Sequence, residues 1–477
     1  MQLRSQLHLN PTLLFTQKLK KKSEIAFNTE SLINVRLIIV NTESIIGYVN
    51  MPQIKETLVD SNPWWKEDFE IVFKEREIYK KLVKFRKMPQ IMALTGLRRV
   101  GKTTLMLKMV EDEIEKGFVP KNIVYFSFDE FRGIEIRQIL KAYEELMDRD
   151  LRKGKSILLL DEIQKVEGWE DQLKWIYDTY GKKVKIIISG SESLFIRKKS
   201  KETLAGRIFE FKVEPLSFKE FLGFRKAVYK PIGLYEKELV KLFKEYAITQ
   251  GFPELVGTKD KDIVKKYVME SIVEKAIYRD IPTLFRIRDV SVVESLLNIF
   301  IEEPGQIVEL NSLSNDLNIS RQTLANYLTY LEKAFLIKKL YNFSRSMRKV
   351  ERKLKKYYPA VISADLAFSK DSLSKSKVFE WLVINQLGAE FFWRDPYKNE
   401  VDAVLANKEF IPIEIKYGKI KAGGLLTFMR KFNADKGYII SYDRKEKRKM
   451  NGRTIIVTPA YRFLIERESL LSSTKRI

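Results

Sequence analysis

The stretch GLRRVGKT, residues 96–103, decides how the central part of this chain folds. It follows the apolar run IMAL at residues 91–94 and precedes a helical pattern that begins near Thr103. Glycines at both ends let the backbone curl so that its N–H groups point inward, and the helix start adds its positive end. The spacing therefore predicts a phosphate-binding loop between a strand and a helix.

The residue types of this loop and of a second strand predict how a nucleotide is handled. Lys102 reaches the β- and γ-phosphates, and the Thr103 hydroxyl completes the coordination of Mg²⁺. The run LLLDE at residues 158–162 reads as a buried strand that ends in two carboxylates. We expect Asp161 to hold Mg²⁺ through water and Glu162 to orient the attacking water. Because no guanine-reading NKxD motif follows, the pattern favours ATP hydrolysis.

Two further side chains are candidates for the γ-phosphate. The next strand ends at Ser189-Gly190-Ser191, and we expect Ser191, with Ser189 as the alternative, to contact the phosphate or the water. A hydroxyl at this place also caps helices. Arg207 follows and could neutralise transition-state charge, in its own chain or from a neighbouring subunit of a homo-oligomer. A surface ion pair is the alternative for Arg207.

Composition excludes several classes of site. The 477 residues include no cysteine and one histidine, which is His8. Disulfides, cysteine–zinc sites, iron–sulfur clusters and Ser-His-Asp hydrolases are therefore excluded or very improbable. The net charge is +24, and more than half of the excess lies from Asn342 to the end. This asymmetry favours nucleic acid as a partner, although a solubilising surface gives the same composition.

No apolar run reaches the roughly 18 residues that span a bilayer, and no signal peptide is visible, so we expect a cytoplasmic protein without a membrane partner. Strands and helices alternate over residues 91–216, which predicts an α/β fold with a parallel sheet. Residues 217–285 read as helices only. Residues 1–50 are either a misassigned upstream extension or a real N-terminal tail.

A second group of chemical residues lies near the C-terminus. Asp402 and Glu414 stand on two successive strands, and a hairpin would bring their carboxylates together as a Mg²⁺ site. Lys416 shares a face with Glu414 because side chains alternate along a strand, and it could orient the attacking water or stabilise charge on phosphate. Glu380, on the preceding helix, could join the metal shell. A solvated Glu–Lys strand face is the plain alternative, and a fold retained without catalysis is a third reading.

Basic residues surround this region. The helix Gln322–Lys333 is expected to lie in a groove of DNA. A run that ends at Lys356, beside Tyr357 and Tyr358, suits contacts to a phosphate backbone, and Arg444–Lys449 adds a second cluster. The alternative is that this helix and its basic neighbours dock to a protein.

Five motifs together resemble the uncharacterised AAA-type ATP-binding proteins of archaea and bacteria, near the STAND-like branch of P-loop ATPases: GLRRVGKTT, LLLDEIQ, IISGSESLF, LAGRIFEFKVEPLSFKEF and QGFPELV. This resemblance implies a helical lid in which Pro253 contacts adenine, although the proline also fits an ordinary helix break, and it implies a winged helix after the lid. The order of elements around Asp402 and Glu414 resembles the restriction-endonuclease-like (PD-(D/E)xK) superfamily.

The predicted architecture is α/β, with a P-loop NTPase parallel sheet, a helical lid, a winged-helix domain and a C-terminal α/β restriction-endonuclease-like domain. The predicted parts are an extension at 1–50, an ATPase core at 51–216, a lid at 217–290, a winged helix with basic linker at 291–358 and a nuclease-like domain at 359–477. The expected contacts to ATP are Gly96, Leu97, Arg98, Arg99, Val100, Gly101, Lys102, Thr103, Thr104, Ser191 and Pro253.

The hypothesis for the whole chain is an ATPase that uses Mg²⁺ and gates DNA processing at the Asp402–Glu414–Lys416 site. The alternative is a signalling switch in which ATP toggles an assembly and the C-terminal domain binds a partner without catalysis. Salt-dependent DNA affinity would separate the two, because a switch that docks a protein need show none.

Overall fold

A five-stranded parallel sheet forms around the phosphate-loop strand. Its strands are β1 (Ile91–Thr95), β2 (Ile123–Ser127), β3 (Ser156–Asp161), β4 (Val184–Gly190) and β5 (Ile208–Lys212). They lie in the order β2-β3-β4-β1-β5, and every pair is parallel. The predicted α/β class is confirmed. Because parallel strands share one carboxyl edge, the ends of β1, β3 and β4 meet where Thr95, Asp161 and Gly190 stand.

The α-helices described in this part of the chain are α1 (Met51–Ser61), α2 (Glu77–Phe85), α3 (Lys102–Glu115), α4 (Ile136–Met147) and α5 (Trp169–Tyr180). The phosphate loop leads into α3, which buries Leu105, Met106, Met109 and Val110. The three central strands are buried almost along their whole length. The apolar runs of the sequence are therefore the core of this sheet.

Residues 217–285 are helical, as the sequence predicts. Their elements are α6 (Phe218–Phe224), α7 (Glu236–Thr249), α8 (Lys261–Lys266), the π-helices Tyr267–Val273 and Ala276–Asp280, and α9 (Ile281–Phe285). Ser217 caps α6 and exchanges hydrogen bonds with Glu220 in a capping box. Phe218 and Tyr246 of this region share one hydrophobic core with Trp381 near the C-terminus.

The described residues after α9 form a second, nine-stranded sheet and its helices. The first part of this segment contains α10 (Ser291–Glu302), β6 (Gln306–Val308), α11 (Leu310–Asp316), α12 (Arg321–Lys333), β7 (Ile337–Asn342), α13 (Met347–Arg352) and β8 (Lys355–Pro359). Its second part contains α14 (Ala364–Ala367), α15 (Ser372–Leu387), β9 (Phe391–Arg394), β10 (Glu400–Ala406), β11 (Phe410–Lys416), α16 (Gly423–Phe432), β12 (Lys436–Ser441), β13 (Glu446–Met450), β14 (Arg453–Pro459) and α17 (Ala460–Ser472).

The strand order of this sheet is β13-β14-β12-β11-β10-β9-β7-β8-β6. Strand β7 pairs in parallel with β9, with Tyr341 opposite Phe391. The sheet is therefore continuous across residue 358, where the sequence suggests a domain boundary, and that position lies inside β8. The strongly basic stretch before it is helix α13 followed by β8.

The coordinates are a computed structural model that describes residues 50–131, 133–191, 202–285, 287, 289–406, 409–450 and 452–472. The question of whether residues 1–50 are an extension or a tail falls outside these ranges, apart from residue 50. Among the described helices, none has the length and apolar character needed to cross a bilayer.

Candidate functional site

Glycine is required at both ends of the phosphate loop. Gly96 has a φ of +143°, and a Cβ there would lie 2.2 Å from the carbonyl oxygen of Val213. Gly101, which precedes α3, has a φ of +95°. Both backbone conformations disfavour residues with a side chain. The loop is thus held tightly against the segment that follows β5.

Lys102 is folded onto its own loop. Its Nζ donates hydrogen bonds to the carbonyl oxygens of Gly96 at 3.0 Å and Leu97 at 2.9 Å. Burial lowers the pKa of the Lys102 ammonium, while the charges of Glu162 and Asp161 act in the opposite direction. A phosphate group would give this ammonium an anionic partner in place of two neutral carbonyls.

Asp161 collects three hydroxyl groups at the carboxyl end of β3. Thr103 Oγ1 donates to Asp161 Oδ2 at 2.6 Å, and Tyr125 OH donates to the same oxygen at 3.0 Å. Ser189 Oγ donates to Asp161 Oδ1. Burial and the Asp161 charge raise the pKa of Tyr125, so its hydroxyl stays a donor. A hydroxyl and a carboxylate in contact at the loop fit the ligand chemistry of Mg²⁺.

Glu162 and Ser191 share a partner that the sequence did not reveal. Glu162 lies in the left-handed region with a φ of 56°. Gln164 Nε2 donates to Glu162 Oε2 at 2.5 Å and to Ser191 Oγ at 3.1 Å. Ser189 accepts from the Glu162 backbone N–H at 3.2 Å and holds Asp161. Ser191 therefore lies beside Glu162, while Ser189 fixes the carboxylate at the end of β3.

Arg98 of the loop is bound by an aspartate of the helical region 217–285. Its Nε donates to Asp280 Oδ2 at 2.9 Å and its Nη2 to Asp280 Oδ1 at 2.7 Å. Ser191 Oγ donates to Asp280 Oδ2 at 3.4 Å. Asp280 ends a π-helix 182 residues after Arg98. Sequence reasoning missed this residue because no local pattern connects the two.

The proline predicted to contact adenine begins a short 3₁₀ helix at Pro253–Leu255. Its neighbour Glu254 pairs with Arg99 of the phosphate loop at 3.2 Å. Gly251 has a φ of +77°, and a Cβ there would lie 2.8 Å from the carbonyl oxygen of Leu216. The structure thus brings the Gly-x-Pro segment to the loop through an ion pair.

Arg207 lies at the other edge of the sheet. Its carbonyl oxygen accepts from the N–H of Ile91, the first residue of β1, at 2.8 Å. Its guanidinium pairs with Asp178 of α5 at 3.0 Å. The phosphate loop follows the last residue of β1, so the structure does not bring Arg207 to the loop of its own chain. A role for Arg207 in a neighbouring subunit stays a prediction.

The hairpin expected near the C-terminus brings its three residues together. Strands β10 and β11 are antiparallel, with Ala403 opposite Ile413. Asp402 Oδ2 accepts from the backbone N–H of Ile415 at 2.7 Å. Lys416 Nζ lies 2.9 Å from Glu414 Oε1 and 3.9 Å from Asp402 Oδ2. Two carboxylates and one ammonium therefore share one face of the sheet.

The prediction that the basic run contacts DNA is wrong for its last residue, Lys356, and for the two tyrosines beside it. Lys356 Nζ is buried between carboxylates, 2.9 Å from Glu380 Oε1, 2.8 Å from Glu400 Oε1 and 3.7 Å from Asp402 Oδ1. Tyr358 OH donates to Glu380 Oε1 at 2.6 Å. Lys356 and Tyr358 alternate with Tyr357 along β8, and all three are buried. These three residues are part of the core and do not face a nucleic acid.

Charge in this cluster is only partly balanced. Four carboxylates face three cations: Glu380, Glu400, Asp402 and Glu414 against Lys356, Lys416 and Arg394, which lies 3.7 Å from Glu400. Burial and the charge of Glu380 raise the pKa of Asp402 to about 7, against the effect of both lysines. Burial also raises the pKa of Glu414. Burial alone would raise the pKa of Glu380, but Lys356 and Tyr358 hold it below its usual range.

The fit of this cluster to a metal is limited to two carboxylates. Glu414 Oε2 is buried without a hydrogen-bond partner among the described residues, so it is an open acceptor. In the described ranges, no three His, Cys, Asp or Glu side chains are arranged to hold a metal ion. Glu380 is engaged by Lys356 and Tyr358, and its place in a metal shell stays a prediction. Mg²⁺ commonly uses one or two protein carboxylates with water, which Asp402 and Glu414 could supply.

Comparison with known proteins finds similar proteins in archaea and bacteria. Two uncharacterized proteins of Methanocaldococcus jannaschii, MJ1544 and MJ1637, are 29% and 28% identical over 360 and 393 residues, or 72% and 75% of this chain and 78% and 81% of theirs. An uncharacterized protein of Haemophilus influenzae is 28% identical over 272 residues, which are 55% of this chain and 66% of that protein. Residues 240–360 and 377–463 match two domains of unknown function, DUF8612 and DUF4143. Residues 88–222, which carry the phosphate loop, match the AAA domain family.

Proposed function

We propose that this protein binds ATP and hydrolyses its β–γ bond with Mg²⁺ at the phosphate loop. The observation that carries the proposal is the 2.6 Å contact between Thr103 Oγ1 and Asp161 Oδ2 at the end of a glycine-shaped loop. The match of residues 88–222 to the AAA domain family supports it. Thr103 and Asp161 would hold Mg²⁺, which would supply positive charge to neutralise the phosphates.

The side chains of this chain take separate roles. Lys102 leaves the two loop carbonyls and binds the β- and γ-phosphates. Glu162, steered by Gln164, accepts a hydrogen bond from the attacking water and orients it. Ser191, which shares Gln164 with Glu162, donates to the γ-phosphate or to that water.

Arg98 is connected to Ser191 through Asp280, which binds both side chains. The Arg98 guanidinium is held at Asp280, which also accepts from Ser191. An arginine so placed can neutralise the charge that develops on the transferred phosphoryl group, which is a role worth roughly 10³–10⁵-fold in rate elsewhere. We therefore assign to Arg98, in its own chain, the role that the sequence suggested for Arg207.

The lid offers a route from the nucleotide to the second sheet. Asp280 is followed directly by α9, which ends at Phe285. The Phe285 ring stacks on Tyr330 of α12 with centroids 3.9 Å apart. A γ-phosphate that draws Arg98 away from Asp280 would release this segment. ATP would thus bias the position of α12, the helix expected to read a partner.

The experiment for this proposal measures nucleotide affinity and phosphate release separately. A fluorescent ATP analogue reports binding, and a phosphate sensor reports turnover, with and without Mg²⁺. Lys102→Ala should lose affinity for the triphosphate, whereas Thr103→Val should lose mainly the effect of Mg²⁺. A wild-type protein that binds neither ATP nor its analogue would contradict the proposal.

DNA processing is the second candidate function. The grouping of Asp402, Glu414 and Lys416, with Glu414 Oε2 open, supports a metal-dependent nuclease site. The test is incubation of linear, branched and single-stranded DNA with Mg²⁺ or Mn²⁺, with and without ATP. Cleavage that is lost in both Glu414→Ala and Lys416→Ala would support it. No cleavage, or equal cleavage by the variants, would favour the switch.

The contact of Lys356 with three carboxylates favours the switch as its competitor. An ammonium already neutralises part of the cluster, so the fold can persist without a metal. In that reading the second sheet binds a partner and ATP changes its position. Affinity for DNA that falls steeply with salt would support a nucleic-acid partner, because bound phosphates release counterions.

Two exposed basic clusters, on α13 and β13, suggest a minimum length for a bound DNA duplex. Arg348 and Lys349 lie on α13, whereas Lys447 and Lys449 lie on β13. Strands β8 and β13 are seven strand spacings apart in the sheet. At about 4.8 Å per spacing the two strands are roughly 34 Å apart along the sheet. A duplex of about ten base pairs, at 3.4 Å per base pair, covers that distance.

A further inference from the structure

A cavity of about 370 Å³ lies at the edge of the parallel sheet opposite the phosphate loop. Its walls come from the last turns of α3 and from the amino ends of β3 and β4, represented by Val110, Ile157 and Ile187. Helix α3 has 14 residues, so its two ends are about 20 Å apart. The cavity is therefore distinct from the nucleotide site.

The rim of this cavity is strongly basic. Seven of its lining side chains are lysine or arginine, and Glu113 is the single acidic one among the described lining residues. Glu113 is already paired with Arg86 at 2.7 Å. Asp112 also lies 3.6 Å from Arg86 and 3.7 Å from Lys116. The excess of positive charge therefore rests on the five other lysines of the rim, and it favours an anionic ligand.

Two of these lysines are held by neutral groups. Lys185 Nζ donates to the carbonyl oxygens of Met88 at 2.8 Å and Gln90 at 2.6 Å. Lys183 Nζ donates to the carbonyl oxygen of Arg152 at 2.8 Å. Carbonyls fix the position of an ammonium but do not cancel its charge. Burial accordingly lowers the pKa of Lys185 to about 8.

The floor of the cavity is apolar. Val110, Leu159 and Ile187 are buried residues of α3, β3 and β4, and their side chains line it. An inorganic anion would leave this floor without a partner, and a neutral apolar molecule would leave the ammonium groups without one. The volume lies within the range of roughly 300–1,000 Å³ that is usual for small-molecule sites.

We propose that this cavity binds a small amphipathic anion, a molecule with an aromatic or aliphatic body and a phosphate, sulfonate or carboxylate head. The body packs on Val110, Leu159 and Ile187. The head pairs with Lys185 and with the rim lysines Lys155 and Lys183. This site is independent of ATP hydrolysis and would stand if the proposed activity failed.

The test uses the full chain and 1-anilinonaphthalene-8-sulfonate, a fluorescent probe with an aromatic body and one sulfonate. Bound probe is challenged with decyl phosphate, inorganic phosphate, decanol and saturating Mg²⁺–ATP. We expect decyl phosphate to displace the probe at a concentration at least tenfold below that needed with decanol or with phosphate, because only it satisfies both rim and floor. Mg²⁺–ATP should leave the probe bound.

A pair of double variants tests whether the probe binds at the rim of the cavity. Lys155→Glu with Lys183→Glu reverses charge on the rim and should weaken probe binding about tenfold or more. Lys237→Glu with Lys241→Glu makes the same change in net charge on exposed positions of α7 and should leave binding unchanged. Lys185→Met keeps the length of the side chain, removes its charge and should weaken decyl phosphate binding more than decanol binding.

Several results would overturn the inference. Absence of probe binding, or equal displacement by decanol and decyl phosphate, would remove the need for an anionic head. Displacement by Mg²⁺–ATP would move the probe to the phosphate loop. Equal behaviour of the two double variants would show that the rim of the cavity does not hold the probe.

Discussion

Asp280 of the helical region 217–285 accepts two hydrogen bonds from Arg98 of the phosphate loop, at 2.9 and 2.7 Å. Both side chains are largely buried, with 8% and 12% of their side-chain surface exposed. Charge-assisted, bidentate pairs of this kind are strong and directional. Under the proposed function, a phosphate group that arrives at the loop competes with Asp280 for Arg98, so the pair would couple nucleotide binding to the helical region 217–285.

Substitutions at this pair should separate affinity from turnover. Asp280→Asn weakens the competitor for Arg98 and should raise the affinity for ATP severalfold. Arg98→Ala should lower kcat by at least about 10²-fold with a smaller change in KM, because the arginine acts on transition-state charge. Steady-state kinetics and direct binding of an ATP analogue check both. Unchanged kcat in Arg98→Ala would remove Arg98 from the chemistry.

The glycine that starts the loop should not tolerate even one extra carbon. In Gly96→Ala the new Cβ would clash with the Val213 carbonyl oxygen, 2.2 Å away, and the φ of +143° is unfavourable for alanine. We expect loss of ATP binding and a clear fall in Tm. Gly223→Ala on α6 is the control, because no atom lies within 4 Å of a Cβ there. Equal Tm and ATP affinity in the two variants would contradict this geometry.

Removing Lys356 should be costly because it leaves buried carboxylates without their cation. Lys356→Met should lower the free energy of unfolding by about 3–5 kcal/mol. Lys377→Met removes a partly buried lysine that pairs with the exposed Glu303 at 2.5 Å, and it should cost no more than about 1 kcal/mol. Urea denaturation of both variants measures the difference. Similar costs would mean that Lys356 is not the buried counter-charge.

Adding Glu380→Gln to Lys356→Met should recover part of the lost stability, because one of the unpaired charges disappears. The recovery should be greater at pH 8 than at pH 5, where carboxylates left without a cation become protonated more easily. If the change in the free energy of unfolding of the double variant equals the sum of the changes in the two single variants, the two residues do not interact.

Neighbouring lysines of β7 should respond to pH in different ways. Burial, with repulsion from Lys212, lowers the pKa of Lys338 to about 8, below the roughly 10.4 of an unfolded chain. The unfolded chain then binds more protons between pH 8 and 10.4, so this group makes the protein more stable as pH rises through that window. Lys338→Met should therefore stabilise the protein at pH 7, and the gain should shrink towards pH 10.

Lys339 serves as the control because Glu332, 2.8 Å away, raises its pKa despite partial burial. Its contribution is fully present below the unfolded pKa, so Lys339→Met should destabilise the protein at pH 7 and change little up to pH 10. Thermal unfolding of both variants from pH 7 to pH 10 provides the measurement. A Lys338→Met effect that does not change with pH would mean that the ammonium is not desolvated.

The parts of the site that follow from the sequence are those whose geometry is local. A strand, a glycine-rich turn and a helix start place Lys102 and Thr103, and the rule that parallel strands share one carboxyl edge brings Asp161 to them. The hairpin from Asp402 to Glu414 is likewise set by strand alternation and a short connection.

The parts that could not be predicted depend on distant contacts. Asp280 meets Arg98 across 182 positions, through the packing of the lid, and nothing near either residue signals the other. Lys356 looks like one more member of a basic run, but the period of two along β8 turns Lys356 and Tyr358 into the carboxylate cluster. These residues are buried because β8 lies inside a nine-stranded sheet, and the local sequence does not indicate that position.

The most direct test of the central claim is phosphate release by Glu162→Gln beside the wild-type chain, with ATP affinity measured in parallel. Glutamine keeps the size of the side chain and its bond to Gln164 but removes the charge that polarises the water. We predict Mg²⁺-dependent hydrolysis by the wild type, and in Glu162→Gln an unchanged affinity for ATP with turnover reduced at least 100-fold, at the level expected for loss of a general base. A wild-type chain that binds ATP without hydrolysing it, or a Glu162→Gln chain that turns over normally, would contradict the account.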